Sequence, residues 1–128
     1  LSDVYGSVNF LIFKLLEDDK WVPVYKDAIS IVFVRNTEKN RPVIERFRVS
    51  MENVYALIIV RSSLDAMYNS INPRFLVSIG ETFYRMGRLN DALTAYRYAN
   101  KRMPENPAIM EKINQIEAEI KADKNHAE

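Results

Sequence analysis

Side chains able to carry chemistry are few and scattered. The single histidine, His126, is the third residue from the end, and there is no cysteine. Disulfides and thiolate metal sites are therefore excluded, and a histidine triad or multi-histidine metal site has no material. Gly6, Gly80 and Gly87 are too widely separated to form a phosphate-cradling loop. The acids Glu17, Asp18 and Asp19 stand together before Trp21, which reads as the exposed end of a helix rather than a catalytic carboxylate pair. The expectation is a protein that is not an enzyme, with no metal and no cofactor.

Charge offers a second kind of chemistry. The net charge of +1 hides a gradient: residues 1–40 hold five Lys/Arg against six Asp/Glu, residues 41–102 ten against five, and residues 103–128 three against six. Nine of the ten basic residues in the middle are Arg, a type suited to planar acidic partners, but a solvated helical surface is the favoured reading over an acidic-ligand face. Arg85, Arg88, Arg97, Lys101 and Arg102, interleaved with tyrosines, could pair phosphates and stack bases. The small net charge and the lack of a nucleic-acid motif make RNA or DNA binding the lesser reading.

The elements that must position these residues are helical. At 128 residues, nearly half apolar with few Gly or Pro, the chain is one folded domain with a core of its own. Its apolar runs, such as Ala56 to Val60, are far too short to cross a bilayer, and no signal-peptide pattern opens it. A soluble segment is expected, with no membrane insertion. The opening Leu1 suggests a processed protein or an excised fragment.

Prolines mark the helix boundaries. Asn72-Pro73 and Asn106-Pro107 stand 34 residues apart, each joining a capping Asn to a Pro suited to a first turn. Between them Leu76, Ile79, Gly80 and Phe83 follow one helix face, and Gly87 ends it. Leu89, Ala92, Leu93, Tyr96 and Ala99 repeat the pattern until Met103-Pro104. Beyond Pro107, Ile109, Ile113, Ile116 and Ile120 form an apolar stripe opposite Glu111, Lys112, Asn114, Glu117, Glu119 and Lys121. That pattern predicts a capping helix over 107–122 and a frayed tail over 123–128.

Paired helices at a 34-residue period resemble the tetratricopeptide repeat. Counted from Pro73, Leu76, Ile79, Gly80, Phe83, Ala92, Tyr96, Ala99 and Pro104 fall at the family's defining positions with matching residue types. The resemblance implies an all-α fold of antiparallel hairpins stacked as a short right-handed superhelix. It covers residues 73–106 and the following helix. Gly80 and Ala92 then read as the close helix crossing, with Phe83 and Tyr96 filling the space beside it.

The amino-terminal half fits less closely. Residues 24–42 resemble a second repeat helix, with Ala28 at the close-contact position. Val4, Val8, Leu11, Ile12 and Leu15 or Leu16 would make the face of a first helix capped by Ser2 or Asp3, together a degenerate repeat over 1–41. Leu16 and Arg35 depart from the small residues that the family places there. Residues 42–72 form an irregular helical unit, either one long helix or a short-armed hairpin broken near Ser50 to Asn53, with Val43, Phe47, Met51, Val54, Ile58, Leu64, Met67 and Tyr68 apolar. The rival is a β-hairpin around 29–51, since "ISIVFV" is β-branched and "FRVSM" alternates about a polar "NTEKNR" turn.

First-helix residues of this family line a concave face that receives a peptide or partner helix. Carried over, that face would show Arg74, Val77, Glu81, Tyr84 and Arg85. Val77 and Glu81 stand where the family's chaperone-tail clamp needs Lys and Asn, which argues against that ligand. The functional expectation is a protein-protein interaction module, an adaptor or assembly scaffold, with self-association as the alternative.

Overall fold

The structure, a computed structural model, describes residues 7–69 and 72–127. In chain order it contains helix α1 (Ser7–Glu17), strands β1 (Trp21–Lys26) and β2 (Ile31–Arg35), and a 3-10 turn (Glu38–Asn40). Five helices follow: α2 (Arg41–Phe47), α3 (Met51–Tyr68), α4 (Arg74–Arg85), α5 (Leu89–Arg102) and α6 (Pro107–Ala127). The chain is mostly helical with one small two-stranded sheet.

The two Asn-Pro pairs act alike. The Asn72 side-chain oxygen accepts from the Arg74 N–H at 3.0 Å, and that of Asn106 from the N–H groups of Ala108 and Ile109 at 3.0 and 3.3 Å. Each satisfies donors that a helix start leaves orphaned. Gly87 takes φ +78°, and the N–H groups of Gly87 and Arg88 turn back to the carbonyls of Tyr84 and Phe83. This left-handed stop lets α5 fold back on α4 within a few residues.

The larger core joins Val77, Ala92, Leu93, Tyr96, Ala99, Ile109, Ile113 and Ile116 from α4, α5 and α6, with Leu76, Phe83, Leu89 and Ile120 packed around them. Burying each large aliphatic side chain contributes about 1.5 to 3 kcal/mol. Ile79 is half-buried, while Pro104 is exposed in the turn that ends α5. At the α4–α5 crossing a Cβ at Gly80 would lie 2.8 Å from two ring carbons of Tyr96.

The hairpin corrects the helix expected over 24–42. β1 and β2 pair antiparallel from Trp21 opposite Arg35 to Lys26 opposite Ile31, with an irregularity between Pro23 and Tyr25. Ala28 belongs to the turn, where the Asp27 carboxylate accepts from the N–H groups of Ile29 and Ser30 at 2.9 and 2.7 Å. An aspartate that captures the backbone two residues on favours a turn over a helix. β-Branched residues on both sides and Pro23, tolerated in an edge strand but not within a helix, complete the reason. The rival hairpin was displaced too: "NTEKNR" enters α2, and "FRVSM" spans the α2–α3 junction.

That junction breaks at Ser50, whose hydroxyl accepts from the Asn53 N–H at 3.2 Å and caps α3. The break expected near Ser50 is therefore present, but α2 packs on β1 rather than folding back along α3 as the arm of a hairpin. The apolar face expected for 42–72 does not hold, because Ile44, Val54, Tyr55 and Ile58 are buried whereas Val43, Phe47, Met51, Leu64, Met67 and Tyr68 are exposed. In α1, Phe13 is 1% exposed and Leu11 56%, so the buried face is rotated from the expected one; Ser2, Asp3 and Val4 lie outside the described residues. Phe10 packs on the larger core, and Phe13 forms a second core with Val54 and Ile58. The tail is corrected as well: α6 continues through Asp123 to Ala127, since nothing after Pro107 breaks a helix and its last turn carries Lys124 and His126, suited to the negative dipole end.

Candidate functional site

The five residues expected to face a partner separate in the structure. Arg74 is exposed at the start of α4, while Val77, 1% exposed, belongs to the core. Glu81 is buried and bonded to Tyr96 at the helix crossing rather than open to a partner. Its carboxylate accepts from the Tyr96 hydroxyl at 2.9 Å and from Arg85 Nε at 3.0 Å, and Lys112 Nζ approaches to 3.4 Å. Arg85 also pairs with Glu17 and lies 4.5 Å from the ring centroid of Phe13. Burial pushes down on the Arg85 pKa, but the Glu17 hydrogen bond and the charges of Glu81 and Glu17 outweigh it, and the net shift is upward.

Tyr84 is half-buried between α4 and α6. Its hydroxyl donates to Glu119 at 2.8 Å and accepts from Gln115 at 2.9 Å, and Lys112 Nζ lies 3.7 Å from its ring centroid. The bond to the Glu119 carboxylate, followed by burial, holds the phenol above its ordinary pKa. These charged groups satisfy one another across α1, α4, α5 and α6, so they position helices. Asn9 adds a bond from α1 to Ser78 Oγ at 3.0 Å. The α4 side that the family resemblance assigns to a ligand is thus covered in part by α1. Phe10 and Phe13, three residues apart, were the available signal; apolar residues surround α1 so fully that periodicity did not single them out.

The open site lies on the other side of α1. A groove of about 780 Å³ runs between α1, the tip and inner face of the hairpin, and the second half of α3. Its walls are apolar: Leu11, Ile12 and Leu15 from α1, Ile29, Ile31 and Phe33 from the hairpin, and Leu57 and Ile58 from α3. Arg61, Asp65, Asn72 and Arg74 add polar groups, so only Arg74 among the five expected residues reaches it. Arg61 donates to the Ala28 carbonyl at 3.0 Å, fastening the hairpin tip to α3. Leu11 and Ile29 remain 56% and 76% exposed at the mouth.

Among the described residues no group of three or more His, Asp or Glu is placed to hold a metal, and no helix is long and apolar enough to cross a membrane. Comparison with known proteins returns no match to a family model, a curated protein or a solved structure.

Proposed function

We propose that this chain is a non-catalytic interaction module, tetratricopeptide-like in residues 73–106, that holds a protein partner as an adaptor or scaffold. One observation carries the reading: the groove between α1, the hairpin and α3 is open, apolar along its walls and polar at Arg61, Asp65, Asn72 and Arg74. Apolar concavities with a few polar groups are where proteins receive ligand side chains. The expected concave-face site contributes Arg74 to it. The charged cluster around Glu81 supports the reading indirectly, since it fixes α1, one wall of the groove, against α4.

Site-specific photo-crosslinking tests it. A crosslinker at Leu11 or Ile29 should capture a discrete protein partner in cells, and one at Tyr98, exposed on α5, should not. Capture at Ile29 should be abolished by Arg74→Glu combined with Leu11→Asp. Equal capture from all three positions, or capture indifferent to those substitutions, would overturn the groove assignment.

A further inference from the structure

The hairpin wall of the groove is made by Ile29, Ser30, Ile31 and Phe33, with no residue of β1. The groove therefore skirts the outer edge of β2 rather than the face of the sheet. Which backbone groups stand on that edge follows from the register, because antiparallel partners alternate between pairs that exchange hydrogen bonds and pairs that do not. The Asn36 N–H donates to the Lys20 carbonyl at 2.8 Å at the open end of the hairpin, and the Asp27 N–H to the Ser30 carbonyl at 2.9 Å at the turn. Counting inwards from either end makes Val22 with Val34, and Tyr25 with Val32, the bonded pairs; Pro23 with Phe33, and Lys26 with Ile31, are the others. Pro23 agrees with the count, since its carbonyl points out of the sheet and takes the Val49 N–H. The N–H and C=O groups of Ile31 and Phe33 point outwards in the same way, away from β1 and along the groove. Among the described residues no hydrogen bond reaches them. The Arg35 carbonyl beyond them is already taken by the Thr37 N–H and by Asn40 Nδ2.

We propose that the groove receives an extended segment of a partner protein, which adds to β2 as a third strand and brings an acidic side chain to the groove's arginines. This rests on the reading of the groove as a partner site and names what fills it. Backbone complementarity selects the conformation. A helix satisfies its own N–H and C=O groups and would leave those of Ile31 and Phe33 unpaired, whereas an extended chain bonds to both residues. Side chains agree, since a strand in this place turns alternate residues towards Leu11, Ile12 and Leu15 of α1 and Leu57 and Ile58 of α3. Charge selects the sign. Arg61 and Arg74 are two cations against the single anion Asp65, and among the described residues none of the three is in an ion pair. Arg61 stands at the turn end of β2, where it donates to Ala28, so an acid at that end of the added strand is the complement.

Random peptides of about ten residues, displayed on phage and selected against the intact chain, are the probe. Selected peptides should alternate apolar and polar residues and carry Asp or Glu near one end. Their binding should slow exchange of the Ile31 and Phe33 amide protons about tenfold or more by NMR, and leave those of Val32 and Val34, already bonded within the hairpin, unchanged. N-methylation of the peptide at alternate residues should weaken binding about tenfold, and at the residues between them less than about threefold. Arg74→Glu should weaken binding about tenfold, and exchanging the peptide's acid for Lys should recover it within about threefold. Arg74 is exchanged because Arg61 also holds the turn, and recovery by the second exchange cannot come from damage to the fold. A peptide lost on Leu11→Asp that leaves exchange at Ile31 and Phe33 unchanged overturns the added strand while keeping the groove as a site. Peptides indifferent to Leu11→Asp, or no selected peptide, overturn the groove reading and the strand with it. Protection of Ile31 and Phe33 without peptide, as the mass rises from 14.9 kDa to twice that, assigns the edge to a second copy and overturns the partner segment.

Discussion

Replacing Gly80 by alanine would ordinarily stabilise a helix by about 0.8 to 1 kcal/mol, because glycine is the poorer helix former. Here the sign should reverse. The added Cβ would stand 2.8 Å from Cδ2 and Cε2 of Tyr96 and 3.3 Å from Cγ, about 0.6 Å inside ordinary contact. Relief has to come from the ring or the backbone, since these are ring atoms of a side chain 1% exposed. The ring is also held at its far end, where the hydroxyl donates to Glu81 at 2.9 Å. Overpacking of this kind costs about 1 to 3 kcal/mol, the propensity gain offsets about 1 kcal/mol of it, and straining the bond to a buried carboxylate adds about 1 kcal/mol back. The net expectation is a loss of about 1 to 3 kcal/mol, visible as a melting midpoint lower by about 3 to 10 °C. Thermal and urea unfolding should agree. In a Tyr96→Leu background the same substitution should become neutral or stabilising, because the obstructing ring is gone. Stabilisation in the native background, or an equal loss in both, would refute the reasoning.

Glu81→Gln should cost about 1 to 3 kcal/mol, read as a lower urea midpoint at unchanged slope, since it leaves the partly buried Lys112 and Arg85 facing a neutral amide. Asp27 offers a pH test: the Ile29 N–H, then the Tyr25 hydroxyl, hold its carboxyl below its ordinary pKa of 3.8. The turn's contribution is therefore complete above that value and lost as pH falls through the lower folded midpoint. Carboxyl shifts followed by NMR should titrate below 3.8, and a midpoint at or above 3.8 would contradict the bonds to Ile29 and Ser30.

Legibility followed the strength of local signals. Residues 72–122 carried their own boundaries, because Asn-Pro starts, a left-handed glycine and a period near 3.6 all act within a few residues. The break at Ser50 was legible for the same reason. The hairpin was misread because Ala28 suited a repeat position, while the decisive feature was the short reach of Asp27 to its own backbone. The faces of α1 and α3 could not be read from periodicity, since both helices are apolar around most of their circumference and tertiary contacts choose the buried side. Among the candidate site residues, Arg74 is exposed at the start of α4 and lines the groove. Val77 and Glu81 looked available only because a helix wheel does not show what α1, α5 and α6 bring against them. The groove was invisible in the sequence because it depends on the hairpin tip that Arg61 fastens to α3.

A two-stranded sheet has two outer edges, and β1 has dealt with one of them. Pro23 offers no N–H along β1, and its carbonyl is occupied by the Val49 N–H at 2.8 Å. The register irregularity after it disturbs the straight run of groups that an incoming strand would need. Amyloid-like growth by strand addition is therefore discouraged on the β1 side. Any such growth would have to start on β2, where Val32 is 46% exposed, so a charged residue at Val32 is the place to improve shelf life without touching the helical core.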